Sequence, residues 1–190
     1  FIAMDDKRFF LERVIRENPD SKILVFVRTK VRAERVSKAM ERVDIVTQTI
    51  HGDKEQQDRL EVMNRFRTGA VKVLIATDVS ARGIDIPDVD YVVNYDLPDA
   101  AENYVHRVGR TGRGTKKGLA VSFCSPEEKE VVAEIEKFLD KPIKVLDIDK
   151  AEYAETLDLT SEVGDKWKAT MLEIEKAEKW MKKKEKGKKK

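Results

Sequence analysis

With 190 residues, a net charge of +2 and 39% charged residues, the chain is long enough to bury one ordinary core and to carry an extension, without covalent staples. Its one cysteine, Cys124, excludes an internal disulfide and a cysteine metal cluster, which suits a reducing cytoplasm and a small buried role in a strand. No apolar run reaches the length of a membrane span and the opening FIAMDDKRFF is not laid out as a signal peptide, so a cytoplasmic protein with no membrane partner is expected. The chain starts at Phe1 instead of methionine, and the expectation is a piece of a longer protein.

In chain order, a helical pattern over 5–18 leads to the β-branched run ILVFV at 23–27, a helix over 30–42 and a weaker strand candidate, IVTQTI, at 45–50. A helix over 54–68 follows, then VKVLIA at 71–76, YVVNY at 91–95, a helix over 101–108, LAVSF at 119–123 and a helix over 126–139. The four stronger runs read as strands buried on both faces. Asp53 with Gln56 resembles a capping box for the third helix, Leu60, Met63 and Phe66 would form its apolar stripe, and Gly69 would close it. Ser125 before Pro126 fits an N-cap followed by proline at the first helical position. Strands alternating with helices through short connections argue for an α/β fold with a parallel sheet, whose ligands gather at the carboxyl ends of the strands.

Beyond 139 the pattern changes. KPIKVLDI would form a last short strand, 149–161 is polar and acidic, and 162–184 is a helix with Trp167, Met171, Ile174, Ala177 and Met181 on one apolar stripe. That stripe should lie on its own domain, on a protein partner or on a second copy. The last nine residues, KKKEKGKKK, carry +6 and leave a formal −4 on the rest, so the tail serves solubility or adds nonspecific attraction to nucleic acid. The expected division is therefore 1–139 as the main domain, 140–181 as an extension with an amphipathic helix, and 182–190 as a basic tail.

Four segments at strand ends carry chemistry. YVHRVGRTGRG, at 104–114, sets Arg107, Arg110 and Arg113 three residues apart beside Gly109, Gly112 and Gly114; guanidinium forks suit phosphate oxygens, and the glycines remove side chains that would hold a phosphate away. A solvated basic loop is the bland alternative, but the flanking Tyr104, Val105, Val108 and LAVSFC fasten this loop to a core. TDVSARGIDIP, at 77–87, offers Thr77 for phosphate, Gly83 for a tight turn and Asp85 for sugar hydroxyls, while Arg82 is expected to tie the turn by an ion pair with Asp85. HGDKEQQDR, at 51–59, puts Gln56 and Arg59 on one helical face, which alone reads as an exposed helix start. LVFVRT, at 24–29, ends a buried strand in Arg28 and Thr29.

Taken together in this order, the segments resemble the C-terminal RecA-like domain of DEAD-box RNA helicases, in helicase superfamily 2. LVFVRT is similar to the family's motif IV, HGDKEQQDR to its HGD and QxxR segment, TDVSARGID to motif V and HRVGRTGRG to motif VI. The resemblance covers 1 to about 139, with bacterial RhlE-type enzymes as the nearest kin, and it implies a RecA-like parallel sheet flanked by helices with a C-terminal helical extension. It further implies that Arg110 and Arg113 are arginine fingers toward ATP, that Gly83, Asp85 and Arg107 belong to the nucleotide site, and that His106, Arg107 and Gln56 link this site to RNA. By the same resemblance His106 belongs with the two fingers in the catalytic set, and Thr29, Gly52, Gln56, Arg59 and Thr77 are the RNA-binding residues.

No GxxxxGK[ST] or DEAD occurs, so the implied ATP and Mg²⁺ would be held mainly by an N-terminal RecA-like domain. No metal ligands are expected in this chain, and it should be inactive alone. The alternatives are a stand-alone RNA-binding or protein-docking module without motor activity, and a DNA helicase of the same superfamily.

Overall fold

The computed structural model describes residues 1–82, 89–111 and 118–158, with Arg82 described by its backbone alone. Two compact units divide the chain, 1–149 and 150–190. Within the first, five parallel strands form one sheet: β1 (Ile23–Phe26), β2 (Thr47–Ile50), β3 (Val73–Ala76), β4 (Tyr91–Asn94) and β5 (Leu119–Ser122). Their spatial order is β2-β3-β1-β4-β5. The chain leaves β1 toward one edge and β4 toward the other, so the topological switch point lies between these two neighbours, where α/β sheets form ligand crevices.

Helices α1 (Lys7–Glu17), α2 (Lys30–Glu41), α3 (Gln56–Thr68), the short α4 (Asp78–Arg82), α5 (Ala101–Val108) and α6 (Lys129–Leu139) connect the strands, with a 3₁₀ turn at Pro126–Glu128. The second unit contributes a described helix over 150–158. Leu24 and Phe26, alternating along β1, bury one face of the sheet with Ile50, Leu74, Ala76 and Val92 against Val62, Met63 and Phe66 of α3. Toward the α5 and α6 end, Leu97, Tyr104, Cys124 and Ile135 form a second cluster.

All five strands end at one level. Phe26 pairs with Ala76 and Asn94, Ala76 with Ile50, and Asn94 with Ser122. The residues that follow each strand therefore emerge side by side on one rim.

Several local expectations hold. Gly69 ends α3 with φ 80°, the left-handed conformation that glycine adopts without strain. Pro126 starts the 3₁₀ turn after Ser125, whose backbone N–H donates to the Glu128 carboxylate at 3.0 Å. Cys124 is buried, and burial, with the neighbouring Glu128 charge, pushes its thiol above the ordinary range.

Others are corrected. The N-cap of α3 is Glu55, without a side-chain cap, because Asp53 is drawn away to the Lys30 ammonium at 2.6 Å. Leu60 is 62% exposed, and Val62 takes its place beside Met63 and Phe66 in the core. LAVSF is not buried on both faces: β5 is an edge strand with Leu119 half exposed, since no sixth strand covers it among the described residues. The strand expected in KPIKVLDI does not form; Val145 and Leu146 stay exposed in an irregular segment, and only Ile143 packs back on the α5 and α6 cluster.

Candidate functional site

Motif VI begins as α5 and changes character within four residues. Tyr104 and Arg107, one turn apart, share the inward face, so the arginine is carried into the rim with 2% of its surface exposed. Its Nε and Nη2 donate to the two oxygens of Asp78 at 2.7 Å each, and Nη1 donates to the Asp96 carbonyl at 2.7 Å and to Asn94 Oδ1 at 3.2 Å. The guanidinium carbon also lies 4.9 Å from the Phe26 ring centre. A bidentate, charge-assisted fork thus ties the start of α4 to the exit of β4, across the exit of β1. Arg107 departs from the expectation that it binds nucleotide, because its donors are spent on the protein.

Arg110 has the opposite surroundings. The helix has ended, its backbone N–H reaches the Arg107 carbonyl at 3.1 Å, and its carbonyl accepts from Val89 N–H at 3.1 Å. Thr111 pairs with Val89 as a parallel bridge, and its hydroxyl donates to the Val89 carbonyl at 2.7 Å. Gly109 eases this tight exit, since a Cβ there would lie 3.1 Å from the Val105 carbonyl oxygen. The turn is therefore stitched to Val89, four residues beyond motif V, while the Arg110 side chain stays half-buried with no partner among the described residues. Arg110 lines a shallow recess with His106, Asn103, Phe26, Asp78 and Ala81. His106 is exposed, and Arg107 lines the same recess from its buried side. Gly83, Asp85 and Arg113 lie outside the described residues, as does the Arg82 side chain.

Of the RNA-binding expectations, Thr77 is displaced. It is 7% exposed and its hydroxyl shares a 2.7 Å hydrogen bond with Ser80, which in turn donates to the Ile50 carbonyl, so the side chain faces the core side of the rim. Thr29 is the N-cap of α2, accepting from Arg32 N–H at 3.2 Å while remaining exposed. Gly52, Gln56 and exposed parts of Arg59 stand at the exit of β2, with Arg59 Nη1 3.4 Å from Gln56 Oε1. The exposed Lys30–Asp53 pair brings Thr29 and Gly52, from different segments, onto adjoining loops.

Sequence reading overlooked the groups that brace this rim. Glu34 of α2 accepts from the Thr49 hydroxyl at 2.6 Å and meets His51 Nε2 at 2.9 Å. Burial alone would raise the Glu34 carboxyl, but the bonds from Thr49 and His51 and the Lys54 charge outweigh it and hold the group below the usual range. Lys7, fully buried, donates to Glu128 at 2.7 Å, and Arg28 reaches the Leu97 carbonyl, Asp99 and Glu128. These partners lie far apart in sequence, so no local motif announces them.

The comparisons agree with this geometry. Residues 6–115 match the family model described as the helicase conserved C-terminal domain. The chain is 43% identical to the ATP-dependent RNA helicase DbpA of Bacillus subtilis over 73% of its own length and 29% of that protein's. Among solved structures, the E. coli DEAD-box protein SrmB, bound to regulator of ribonuclease activity A, superposes with a TM-score of 0.73 at 34% identity over 78% of this chain and 87% of that one. S. cerevisiae Dbp5 bound to RNA and ADP BeF3 gives 0.70 at 33% identity over 85% of this chain and 43% of that one. The fold and its strand-end motifs are those of a helicase C-terminal domain. The chain belongs to this family, as the C-terminal RecA-like domain of a DEAD-box RNA helicase. It spans less than a third of the length of DbpA.

Proposed function

We propose that the chain is the C-terminal half of an ATP-dependent RNA helicase, which closes on a P-loop domain of the same protein, holds RNA by its backbone and lends arginines to ATP hydrolysis. The observation that carries this reading is the contrast within motif VI: Arg107 is consumed as an internal clamp, while Arg110 is left unpaired among the described residues in an open recess beside His106. A finger must be held by its backbone and free at its tip. The bonds from Arg110 to Arg107 and Val89 supply the first, and the recess supplies the second.

Nucleotide fits this chain as a second surface, not as a container. Arg110, with Arg113 from the same motif, would meet the terminal phosphate, and Gly83 and Asp85 would meet the ribose side. ATP supplies the transferable phosphoryl group and Mg²⁺ its charge neutralisation; among the described residues no cluster of acids or histidines is arranged to hold a metal ion. Arg107 positions the recess by fixing Asp78, Asn94 and the Asp96 carbonyl.

RNA would lie along Thr29, Gly52, Gln56 and Arg59, contacts to phosphate and sugar that carry no sequence information. SrmB's complex with a regulator protein favours protein partners as a further class, for which the stripe in 162–181 is a candidate. No helix among the described residues is long and apolar enough to cross a membrane.

The test is ATP hydrolysis by the 190-residue chain alone and by the whole protein, with RNA and with DNA. The expected outcome is none from the chain alone and hydrolysis stimulated by RNA, not DNA, from the whole. RNA binding without any hydrolysis by the whole protein would favour the stand-alone binding module, and equal stimulation by DNA would favour a DNA helicase.

A further inference from the structure

The exit of β2 is held from one side by a single helix. Lys30 and Glu34 of α2 are one turn apart and so point the same way. Lys30 Nζ lies 2.6 Å from Asp53 Oδ2, and Glu34 Oε1 takes both the Thr49 hydroxyl at 2.6 Å and His51 Nε2 at 2.9 Å. The two residues flanking Gly52 are therefore each tied to α2. The turn is closed by Lys54 N–H on the His51 carbonyl at 3.2 Å.

Gly52 is glycine for neither of the usual internal reasons. Its φ lies outside the left-handed range, and a Cβ would meet nothing within 4 Å, so the protein itself has room for a side chain. What a side chain would obstruct is something arriving from outside. By contrast, Gly109 is closed off by a backbone oxygen.

We infer that Glu34, with the Lys30–Asp53 pair, is a positioning element for RNA: α2, which begins at Thr29, fixes the Gly52 backbone on the adjoining loop so that one strand can meet both. This rests on the reading of Gly52 as an RNA contact. Both carboxylates stand near a polyanion, where by charge alone they oppose binding. Their presence is then explained by geometry, since each holds one shoulder of the glycine. Pre-organisation of this kind lowers the ordering cost of binding.

Charge and geometry give opposite signs, and that makes the test decisive. Binding of the 190-residue chain to a fluorescein-labelled oligouridylate is measured by anisotropy at fixed low salt. Asp53→Ala and Glu34→Ala each remove a negative charge, so simple electrostatics would tighten binding; positioning weakens it, by about threefold to tenfold for Glu34→Ala. Glu34→Gln, whose amide oxygen still accepts from Thr49 and His51, should recover most of that loss. Tighter or unchanged binding in Asp53→Ala and Glu34→Ala, or a Gln variant as weak as the Ala variant, would overturn the inference. The Lys30–Asp53 pair is exposed, so Asp53→Ala remains decisive should Glu34→Ala unfold. Gly52→Val separates the two levels: if it binds as wild type, the RNA reading of Gly52 itself fails, whereas loss in Gly52→Val beside unchanged Glu34→Ala and Asp53→Ala defeats the positioning role alone.

Discussion

At the exits of β3 and β4 the polar side chains turn inward: Arg107 spends its fork on Asp78, Asn94 and the Asp96 carbonyl, and Thr77 shares its hydroxyl with Ser80. At the exits of β1 and β2 they turn outward, with Thr29, Gly52 and Gln56 exposed, and the β2 exit is braced from behind by Lys30 and Glu34. Both regions belong to one rim, because the five strands end in register. The difference shows two ways of using cations and hydroxyls at a strand end. One holds loops to each other so that a neighbouring side chain, Arg110, is presented; the other holds a backbone so that it can itself be the ligand.

The inward region should be the more fragile. Arg107→Ala leaves the Asp78 carboxylate, 27% exposed, without its fork, and the cost should approach from below that of a fully buried pair, about 3–5 kcal/mol. Denaturant unfolding of the chain should show that loss in the midpoint, with Arg110→Ala close to wild type. Equal stability of the two variants would erase the contrast between them.

A smaller effect is expected at the Lys7–Glu128 pair. Burial tends to raise the Glu128 carboxyl, but the bond from Lys7, the Ser125 amide and the Lys7 and Arg28 charges prevail, so the group sits below its usual range. A depressed acid stabilises the fold above the unfolded pKa, about 4.3, and that stability is lost as pH falls through the folded value. Glu128→Gln should therefore flatten the decline of stability below about pH 4.5, measured by thermal melting. An unchanged acid limb would show that the pair carries no net weight.

How much of this was readable from residues alone differs between the two regions for a physical reason. The middle of the sheet was legible because β1 and β3 are continuous apolar runs and β4 nearly so, and Ile23–Phe26, Val73–Ala76 and Tyr91–Asn94 fall inside the expected spans. Helix ends were legible where one residue decides them, as at Gly69 and Ser125. Asp53 misled because its capping signal is local while its ion pair with Lys30 is not, and Leu60 misled because an apolar residue near a helix start can stand clear of the core. At the site, the motif's arginines look alike in sequence. Which one is buried depends on the 29-residue reach from Asp78 to Arg107, which no spacing rule contains.

The smallest effect concerns the basic end of the chain, which lies outside the described residues. Deleting 182–190 removes a formal +6. The salt dependence of RNA binding should become shallower, with each lost phosphate contact worth about 0.7 in the logarithmic slope for a single strand. An unchanged slope would confine the tail to solubility.

The central claim is that Arg110 is held by its backbone so that its guanidinium can act on a nucleotide brought by another domain. The direct measurement is the turnover number of RNA-stimulated ATP hydrolysis by the whole protein carrying Arg110→Ala, at saturating RNA and ATP. A fall of roughly a thousandfold, with RNA affinity and folding retained, is the outcome this account gives. Turnover near that of the wild type would contradict it.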